Sequence, residues 1–123
     1  DYLFCNEDEA KEWGKADDLD NEAGPEALKL QKDQREETKT VIVTQGAESV
    51  IVWTEKGCQK FEVQKLNENE IVDTNGAGDS FVGGFLSQLY LNKSIDQCVM
   101  AGCKLSREVV KRSGCTFPED FNL

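Results

Sequence analysis

The chain has 123 residues, of which 38% are apolar and 31% charged, values typical of one compact folded domain and not of a disordered tail. No apolar run approaches the ~20 residues that a membrane span needs, and the first residues do not resemble a signal peptide. The net charge of −10 repels phosphate backbones at long range. These properties argue against a membrane or a nucleic-acid polymer as a partner.

The chain has five cysteines, an odd number that does not allow all of them to pair within the chain. They form no Cys-x-x-Cys motif, and there is no histidine that could complete a mixed zinc site. We therefore expect reduced, mostly structural thiols in a cytoplasmic protein, with the nucleus as a second compartment. The lack of histidine also excludes Ser-His-Asp and Cys-His catalysis within this chain.

The N-terminal part begins abruptly with the end of a buried strand at residues 2–5, which predicts that the chain continues upstream. Residues 6–9 then open a short helix with acidic side chains in its first turn. An acidic loop is expected over 17–25, followed by an exposed helix from Gly24-Pro25 to about Gln34.

The middle of the chain predicts a central strand and a hairpin. The β-branched run at 40–44 is typical of a strand buried on both faces, and Gln45-Gly46 ends it. Strands at 50–53 and 60–63 are expected to form the hairpin, and a further short strand is predicted at 70–72.

Two helices are predicted in the C-terminal part. Apolar residues recur at helical spacing from about Ala77 to Leu91, and Ser94 with Gln97 forms a capping box that begins a second helix ended by Gly114. The candidates for its packed face are Val99, Met100, Cys103, Val109 and Val110. The alternation of strands and helices indicates an α/β layered domain.

A Gly-rich loop at residues 73–79 follows the predicted strand and opens the first of these helices. Backbone N–H groups at a helix start lack internal partners and favour an anion, and glycines at 76 and 78 let the anion approach closely. The loop lacks the third glycine of a dinucleotide fingerprint and the Gly-Lys-Ser/Thr of a P-loop. It therefore predicts a phosphate site of another kind.

Asp79 stands at this helix start, where its carboxylate would compete with an anion. It could be an ordinary helix cap, or a general base that takes a proton from a substrate hydroxyl while nearby N–H groups stabilise the transferred group. The residues alone leave both roles open.

Residues 73–86, Asp-Thr-Asn-Gly-Ala-Gly-Asp-Ser-Phe-Val-Gly-Gly-Phe-Leu, resemble the second signature of the ribokinase-like (PfkB) carbohydrate and nucleoside kinases. Asn75, the continuation through residue 89 and the ending Gly114–Pro118 are similar to the branch that phosphorylates adenosine. The resemblance covers nearly the whole chain. It implies a Rossmann-type layered sheet, with residues 1–123 forming the C-terminal nucleotide-binding and catalytic portion and with the lid and sugar pocket upstream.

The resemblance also implies roles for the residues of the loop. Asp79 matches the catalytic base that deprotonates the 5′-hydroxyl of the sugar. Gly76, Ala77 and Gly78 match an anion hole that faces the transferred γ-phosphoryl group, and Asn75 matches a position near the substrate and phosphates.

Other implied sites lie outside the loop. Asn6 and Glu9 match an Asn-x-x-Glu motif that organises Mg²⁺ through water, although their spacing alone favours a plain helix N-terminus. The turn Thr44-Gln45-Gly46 resembles the one that meets the ATP phosphates, and Cys103 stands where relatives usually carry a histidine beside the nucleotide base. Asp73 and the Arg112–Cys115 turn correspond to a monovalent-cation (K⁺) site.

The function implied by the resemblance is Mg²⁺-dependent transfer of phosphate from ATP to adenosine, giving AMP, by a protein that is a monomer when full length. Two alternatives remain open at this point. One is another sugar or nucleoside kinase of the same family, and the other is an inactive or regulatory nucleotide-binding fragment.

Overall fold

The computed structural model describes residues 2–14 and 40–123, which divide into two compact units, Asp1–Val63 and Gln64–Leu123. The loop predicted over 17–25 and the helix predicted from Gly24 to Gln34 lie outside the described residues. The order of elements elsewhere follows the sequence-based prediction of an α/β protein, with one exception given below.

The first unit is built on a four-stranded mixed sheet. Strands β1 (Tyr2–Asn6), β2 (Thr40–Thr44), β3 (Ser49–Thr54) and β4 (Gly57–Glu62) lie side by side in that order. β1 and β2 are parallel, whereas the β2–β3 and β3–β4 pairs are antiparallel. Helix α1 (Glu7–Gly14) follows β1 directly.

β2 is the central buried strand that its β-branched sequence predicts, since four consecutive residues from Thr40 to Val43 are buried. Val41, Val43 and Ile51 form one apolar cluster with Cys5 of β1 and Ala10 of α1. Each buried Val or Ile side chain contributes about 1.5–3 kcal/mol relative to exposure, so this cluster anchors α1 against the sheet.

The predicted hairpin is confirmed as the β3–β4 pair. Its connection is the two-residue turn Glu55-Lys56, and Gly57 takes a positive φ of 127° directly after it. β4 begins at Gly57 and not near Lys60, because a turn this short returns the chain into pairing at once.

The second unit holds helices α2 (Ala77–Tyr90) and α3 (Ile95–Val110). The strand predicted at 70–72 is wrong: Glu68–Glu70 forms a 3₁₀ turn, and Ile71 and Val72 are exposed coil. The N–H groups of Val72 and Asp73 both donate to the carbonyl of Val110, at 2.8 and 3.2 Å. The end of α3, and not a neighbouring strand, therefore satisfies this backbone.

α2 and α3 cross closely because glycines stand at the contact. A Cβ atom on Gly84 would lie 2.6 Å from the carbonyl oxygen of Ala101, and one on Gly102 would lie 2.7 Å from the ring of Phe81. Phe81 and Phe85 are buried on this side of α2, with ring centroids 6.3 Å apart. Among the helices of residues 2–14 and 40–123, none has the length and apolar character to cross a membrane.

α3 begins at the predicted capping box, where the N–H of Gln97 donates to Ser94 Oγ and the Ser94 N–H donates to Gln97 Oε1. Val99 and Val109 are buried as predicted, but the assignment of Met100 to the packed face is wrong, since that side chain is 69% exposed. Val99 occupies the inward direction, and the helical rotation turns the next residue outward. The helix ends at Val110, and Gly114 lies in the following turn with a φ of 69°.

Candidate active site

The Gly-rich loop is a compact turn that leads into α2. The N–H of Asn75 donates to Asp73 Oδ1 at 2.9 Å, and the N–H of Ala77 donates to the Thr74 carbonyl at 3.3 Å. Gly76 caps the helix in the left-handed region, with φ 77° and ψ 1°. A glycine is needed at this position because other residues rarely adopt that conformation.

The start of α2 presents backbone donors beside a carboxylate. The first N–H of the helix is used within the turn, whereas those of Gly78 and Asp79 have no intrahelical acceptor. Both residues are exposed, and space is open where Gly78 would carry a Cβ. An anion can approach a helix start of this kind, and the exposed side chain of Asp79 belongs to the same turn.

The segment after α3 contacts this loop through Gly114 and Cys115. Asp73 Oδ2 accepts the N–H of Gly114 at 3.4 Å, so one carboxylate holds the loop and the Arg112–Cys115 turn together. The Cys115 side chain lies against Gly76, since a Cβ on Gly76 would be 2.6 Å from Cys115 Sγ. Ser80 Oγ donates to the Gly76 carbonyl at 2.7 Å and lies 3.7 Å from Cys115 Sγ.

Ser80 is thus a part of the site that the sequence patterns do not indicate. For Cys115, the site role they imply is membership of the Arg112–Cys115 turn, which corresponds to the monovalent-cation site. A serine three residues into a helix gives a local signal, because its hydroxyl commonly bonds to a carbonyl one turn back. The contact between residues 76 and 115 has no local signal, since it depends on how the segment after α3 returns to the loop.

In the first unit, two further predicted site regions are brought together. Asn6 and Thr44 are register partners at the carboxyl ends of the parallel strands β1 and β2. Loops after the carboxyl ends of parallel strands are the usual place for ligands in α/β sheets. The Asn6–Glu9 motif and the Thr44–Gly46 turn therefore share one edge of the sheet.

Asn6 and Glu9 form a reciprocal capping box at the start of α1. The N–H of Glu9 donates to Asn6 Oδ1 at 2.8 Å, and the N–H of Asn6 donates to Glu9 Oε2 at 2.9 Å. The helix N-terminus that the spacing of Asn6 and Glu9 favours is therefore confirmed. It leaves Glu9 Oε1 and the Asn6 amide nitrogen outside these bonds, on exposed side chains.

Thr44-Gln45-Gly46 forms a tight connection from β2 to β3. The N–H of Gln45 donates to the Ser49 carbonyl at 3.0 Å, and Ser49 Oγ donates to Gln45 Oε1 at 2.5 Å. Gly46 has a φ of 57° with open space around its Cα. Among the described residues, the Thr44 hydroxyl makes one long contact, of 3.5 Å to the Cys5 carbonyl, so no strong hydrogen bond within this part of the chain occupies it.

The remaining predicted residue, Cys103, is half-buried on α3, and burial raises the pKa of its thiol. Cys5 is more deeply placed, and burial, followed by the charge of Glu9, raises the pKa of its thiol from 9.0 to about 11. Both thiols are therefore protonated at neutral pH and do not act as nucleophiles.

No group of three or more Cys, Asp or Glu side chains within residues 2–14 and 40–123 could hold a metal ion. The Glu9 carboxylate and the Asn6 amide are hard oxygen donors, which suit Mg²⁺ contacted through its own water molecules. The donor set thus fits the outer-sphere role expected of this pair.

Comparison with known proteins agrees with this geometry. The model of the pfkB family of carbohydrate kinases matches residues 1–122. The chain is 45% identical to adenosine kinase 1 of Arabidopsis thaliana over 99% of its own length and 37% of that protein. It is 36% identical to the cytidine kinase of Thermococcus kodakarensis over 62% of this chain and 27% of that protein.

Among solved structures, the chain is similar to Anopheles gambiae adenosine kinase in complex with P1,P4-di(adenosine-5) tetraphosphate. The TM-score is 0.85 at 39% identity, covering 97% of this chain and 38% of that one. The fold is therefore the ribokinase-like α/β fold with a mixed sheet. The chain belongs to the pfkB family of carbohydrate kinases, and it spans little more than a third of the length of the adenosine kinases it matches and about a quarter of the cytidine kinase.

Proposed function

We propose that this chain forms the nucleotide-binding and catalytic portion of a kinase that transfers the γ-phosphoryl group of ATP to the 5′-hydroxyl of adenosine. The products are ADP and AMP, which makes the reaction one of purine salvage. The observation that carries the proposal is the start of α2, where the exposed Asp79 carboxylate adjoins the open N–H groups of Gly78 and Asp79.

In this proposal Asp79 is the general base. Its carboxylate accepts the proton of the 5′-hydroxyl as the oxygen attacks the γ-phosphorus and the bond from that phosphorus to the β,γ-bridging oxygen breaks. Of the predicted anion hole, Gly76, Ala77 and Gly78, the N–H groups of Gly76 and Gly78 would face the charge on the transferred group, with Asn75 beside them. The N–H of Ala77 already donates to the Thr74 carbonyl at 3.3 Å, so it is not an open donor. Phosphoryl transfer depends mainly on positioning and charge stabilisation, so a base and an anion hole form a sufficient core.

The first unit contributes the nucleotide side. The Thr44 hydroxyl and the backbone of Gln45 and Gly46 would contact ATP phosphates, because this turn combines an available hydroxyl with a glycine that leaves the backbone bare. Asn6 and Glu9 would orient the water shell of Mg²⁺, which supplies positive charge at the phosphates. Cys103 is assigned to the surroundings of the adenine base by its sequence position.

A monovalent cation such as K⁺ is proposed near Asp73 and the turn that ends at Cys115. The support is the hydrogen bond from the Gly114 N–H to Asp73 Oδ2, which joins the two segments. We place the protein in the cytoplasm, because Cys5, Cys98, Cys103 and Cys115 are free thiols.

The proposal is tested by steady-state assays of the full-length protein with Mg-ATP and each of three acceptors: adenosine, cytidine and ribose. We expect the highest kcat/KM with adenosine and AMP as the product. A preference for a free sugar would contradict the assignment of the acceptor while leaving the phosphoryl-transfer chemistry in place.

The second candidate is a kinase for another nucleoside, favoured by the 36% identity to a cytidine kinase over 62% of this chain. The same assays decide between the two. An inactive nucleotide-binding fragment is the third candidate, and it is tested with the 123-residue chain by itself. Calorimetric binding of Mg-ATP without turnover would support it, and phosphorylation of adenosine by that chain at enzyme-like rates would refute it.

A further inference from the structure

The anion-hole glycine is held by a side chain that takes no part in the chemistry described above. Cys115 follows α3 and its turn, 39 positions beyond Gly76, yet its Sγ and Cβ would lie 2.6 and 3.0 Å from a Cβ on Gly76. Contacts this short to an added Cβ mean that the thiol fills the space on that side of the Gly76 Cα. Among the described residues, and apart from the two chain neighbours of Gly76, no other side chain lies within 4 Å of that point.

Three hydrogen bonds hold the same two segments in register around this contact. The Val110 carbonyl accepts the N–H groups of Val72 and Asp73, and Asp73 Oδ2 accepts the N–H of Gly114. Ser80 Oγ then joins the Gly76 carbonyl to the vicinity of Cys115 Sγ, at 2.7 and 3.7 Å. The peptide between Gly76 and Ala77 is therefore held by two contacts: Ser80 Oγ donates to its carbonyl, and the Cys115 side chain packs beside the Gly76 Cα.

We infer that Cys115 is a positioning residue for the anion hole: its side chain sets the left-handed turn at Gly76 and thereby the direction of the N–H groups at the start of α2. The inference rests on the proposed function for its catalytic consequence. Its structural part, the dependence of the Gly76 turn on the volume at position 115, can be measured separately.

The volume of Cys115 is the property that matters. Valine adds a branch at the Cys115 Cβ, which packs on the side of Gly76 where a Cβ would stand, so we expect the branch to crowd the Gly76 turn and shift it. Serine keeps the unbranched shape and a polar tip. A misplacement of the transferred group by about 1 Å costs on the order of 10²-fold in rate. The effect should fall on kcat, because the nucleotide contacts assigned to the first unit are untouched.

The experiment uses the full-length protein with Cys115→Val, Cys115→Ser and the matched control Cys58→Val, which places the same substitution on the exposed strand β4. We expect Cys115→Val to lower kcat by about 10- to 100-fold while KM for ATP changes by less than about threefold. Cys115→Ser should keep kcat within about threefold of the native value, and Cys58→Val should leave kcat unchanged.

The second measurement is the backbone amide spectrum of the same variants. Cys115→Val should move the ¹H–¹⁵N peaks of residues 76–79, and Cys58→Val should leave them in place. Native kcat in Cys115→Val would overturn the inference, as would amide changes spread over the whole protein with a matching loss of thermal stability. If the native protein phosphorylates none of the acceptors, the proposed function fails. The amide shifts alone then decide whether Cys115 positions the loop.

Discussion

Asn6 and Thr44 are direct register partners at the carboxyl ends of two parallel strands, although 37 residues separate them in the chain. Asn6 begins the capping box of α1, and Thr44 begins the Gly46 turn, so two motifs that the sequence shows far apart share one edge of the sheet. This edge of the sheet is where ligands usually bind in α/β proteins, which supports the proposed nucleotide contacts.

Glu9→Gln separates the capping role of Glu9 from its proposed electrostatic role. Glutamine keeps an acceptor for the Asn6 N–H, and so the capping box survives with a change in unfolding free energy of about 0.5 kcal/mol or less. The loss of charge should raise KM for Mg-ATP or lower kcat by about tenfold, measured over a range of Mg²⁺ concentrations. Glu9→Ala, as the control, should lose stability as well. Unchanged Mg²⁺ dependence in Glu9→Gln would leave this residue a cap only.

Thr44→Val tests the hydroxyl at the nucleotide turn with a side chain of the same shape. Its only described hydrogen bond is the 3.5 Å contact to the Cys5 carbonyl, so stability should change little. Loss of a hydrogen bond to a charged phosphate should raise KM for ATP by about tenfold or more. Thr54→Val is the control for KM, because Thr54 lies at the other end of β3, where its hydroxyl contacts the Gly57 carbonyl at 3.5 Å and accepts the N–H of Lys56 at 3.2 Å. It should lose some stability without a change in KM for ATP. Equal effects of the two variants on KM would contradict the assignment.

The crossing of α2 and α3 predicts opposite effects for two adjacent glycines. Gly84→Ala should destabilise the protein by about 1–3 kcal/mol, because the new Cβ meets the Ala101 carbonyl at 2.6 Å. Gly83→Ala should stabilise it by about 0.5–1 kcal/mol, since nothing lies within 4 Å and alanine favours the helix. Chemical denaturation of both variants measures the difference. A stabilising effect at both positions would mean that the helices do not approach closely there.

The buried thiol of Cys5 predicts a loss of stability at alkaline pH. Its pKa is 9.0 when unburied and about 11 in the folded protein, so the folded state retains the proton that the unfolded state loses. The associated stability is present in full below pH 9 and is lost as the pH rises to about 11, by about 2–3 kcal/mol. The free energy of unfolding of Cys5→Ala should lack this part of the decline. Cys58→Ala should retain it, and an identical decline in both variants would contradict the prediction.

Local patterns were sufficient for most of the fold. The β-branched run at 40–44, the capping box at Ser94 and the helical spacing after Ala77 each specify one element, and each element forms as predicted. The run at Ile71 and Val72 was misleading, since the Ile71 N–H donates to the Glu68 carbonyl and the Val72 N–H to the Val110 carbonyl, and neither pairs with a strand. No local pattern could show that.

The candidate site shows the same division. The anion-binding start of α2 and the role of Gly76 follow from residues adjacent in the sequence. The contact of Cys115 with Gly76 and the pairing of Asn6 with Thr44 join segments 37 or more residues apart, so they depend on the packing of whole elements. Contacts of this kind between distant segments produce no periodicity or motif in the sequence from which they could be predicted.

The central claim, that Asp79 is the base at the anion hole, is tested most directly by Asp79→Asn in the full-length protein. Asparagine keeps the shape of the side chain, and Gly76 remains the N-cap of α2, so folding and ATP binding should persist while kcat falls by about 10²–10⁴-fold. Asp96→Asn is the matched control, because Asp96 is the exposed acidic residue in the first turn of α3, and its kcat should stay native. Native kcat in Asp79→Asn would contradict the account, and Asp79 would then be an acidic residue of the first turn of α2 with no catalytic role.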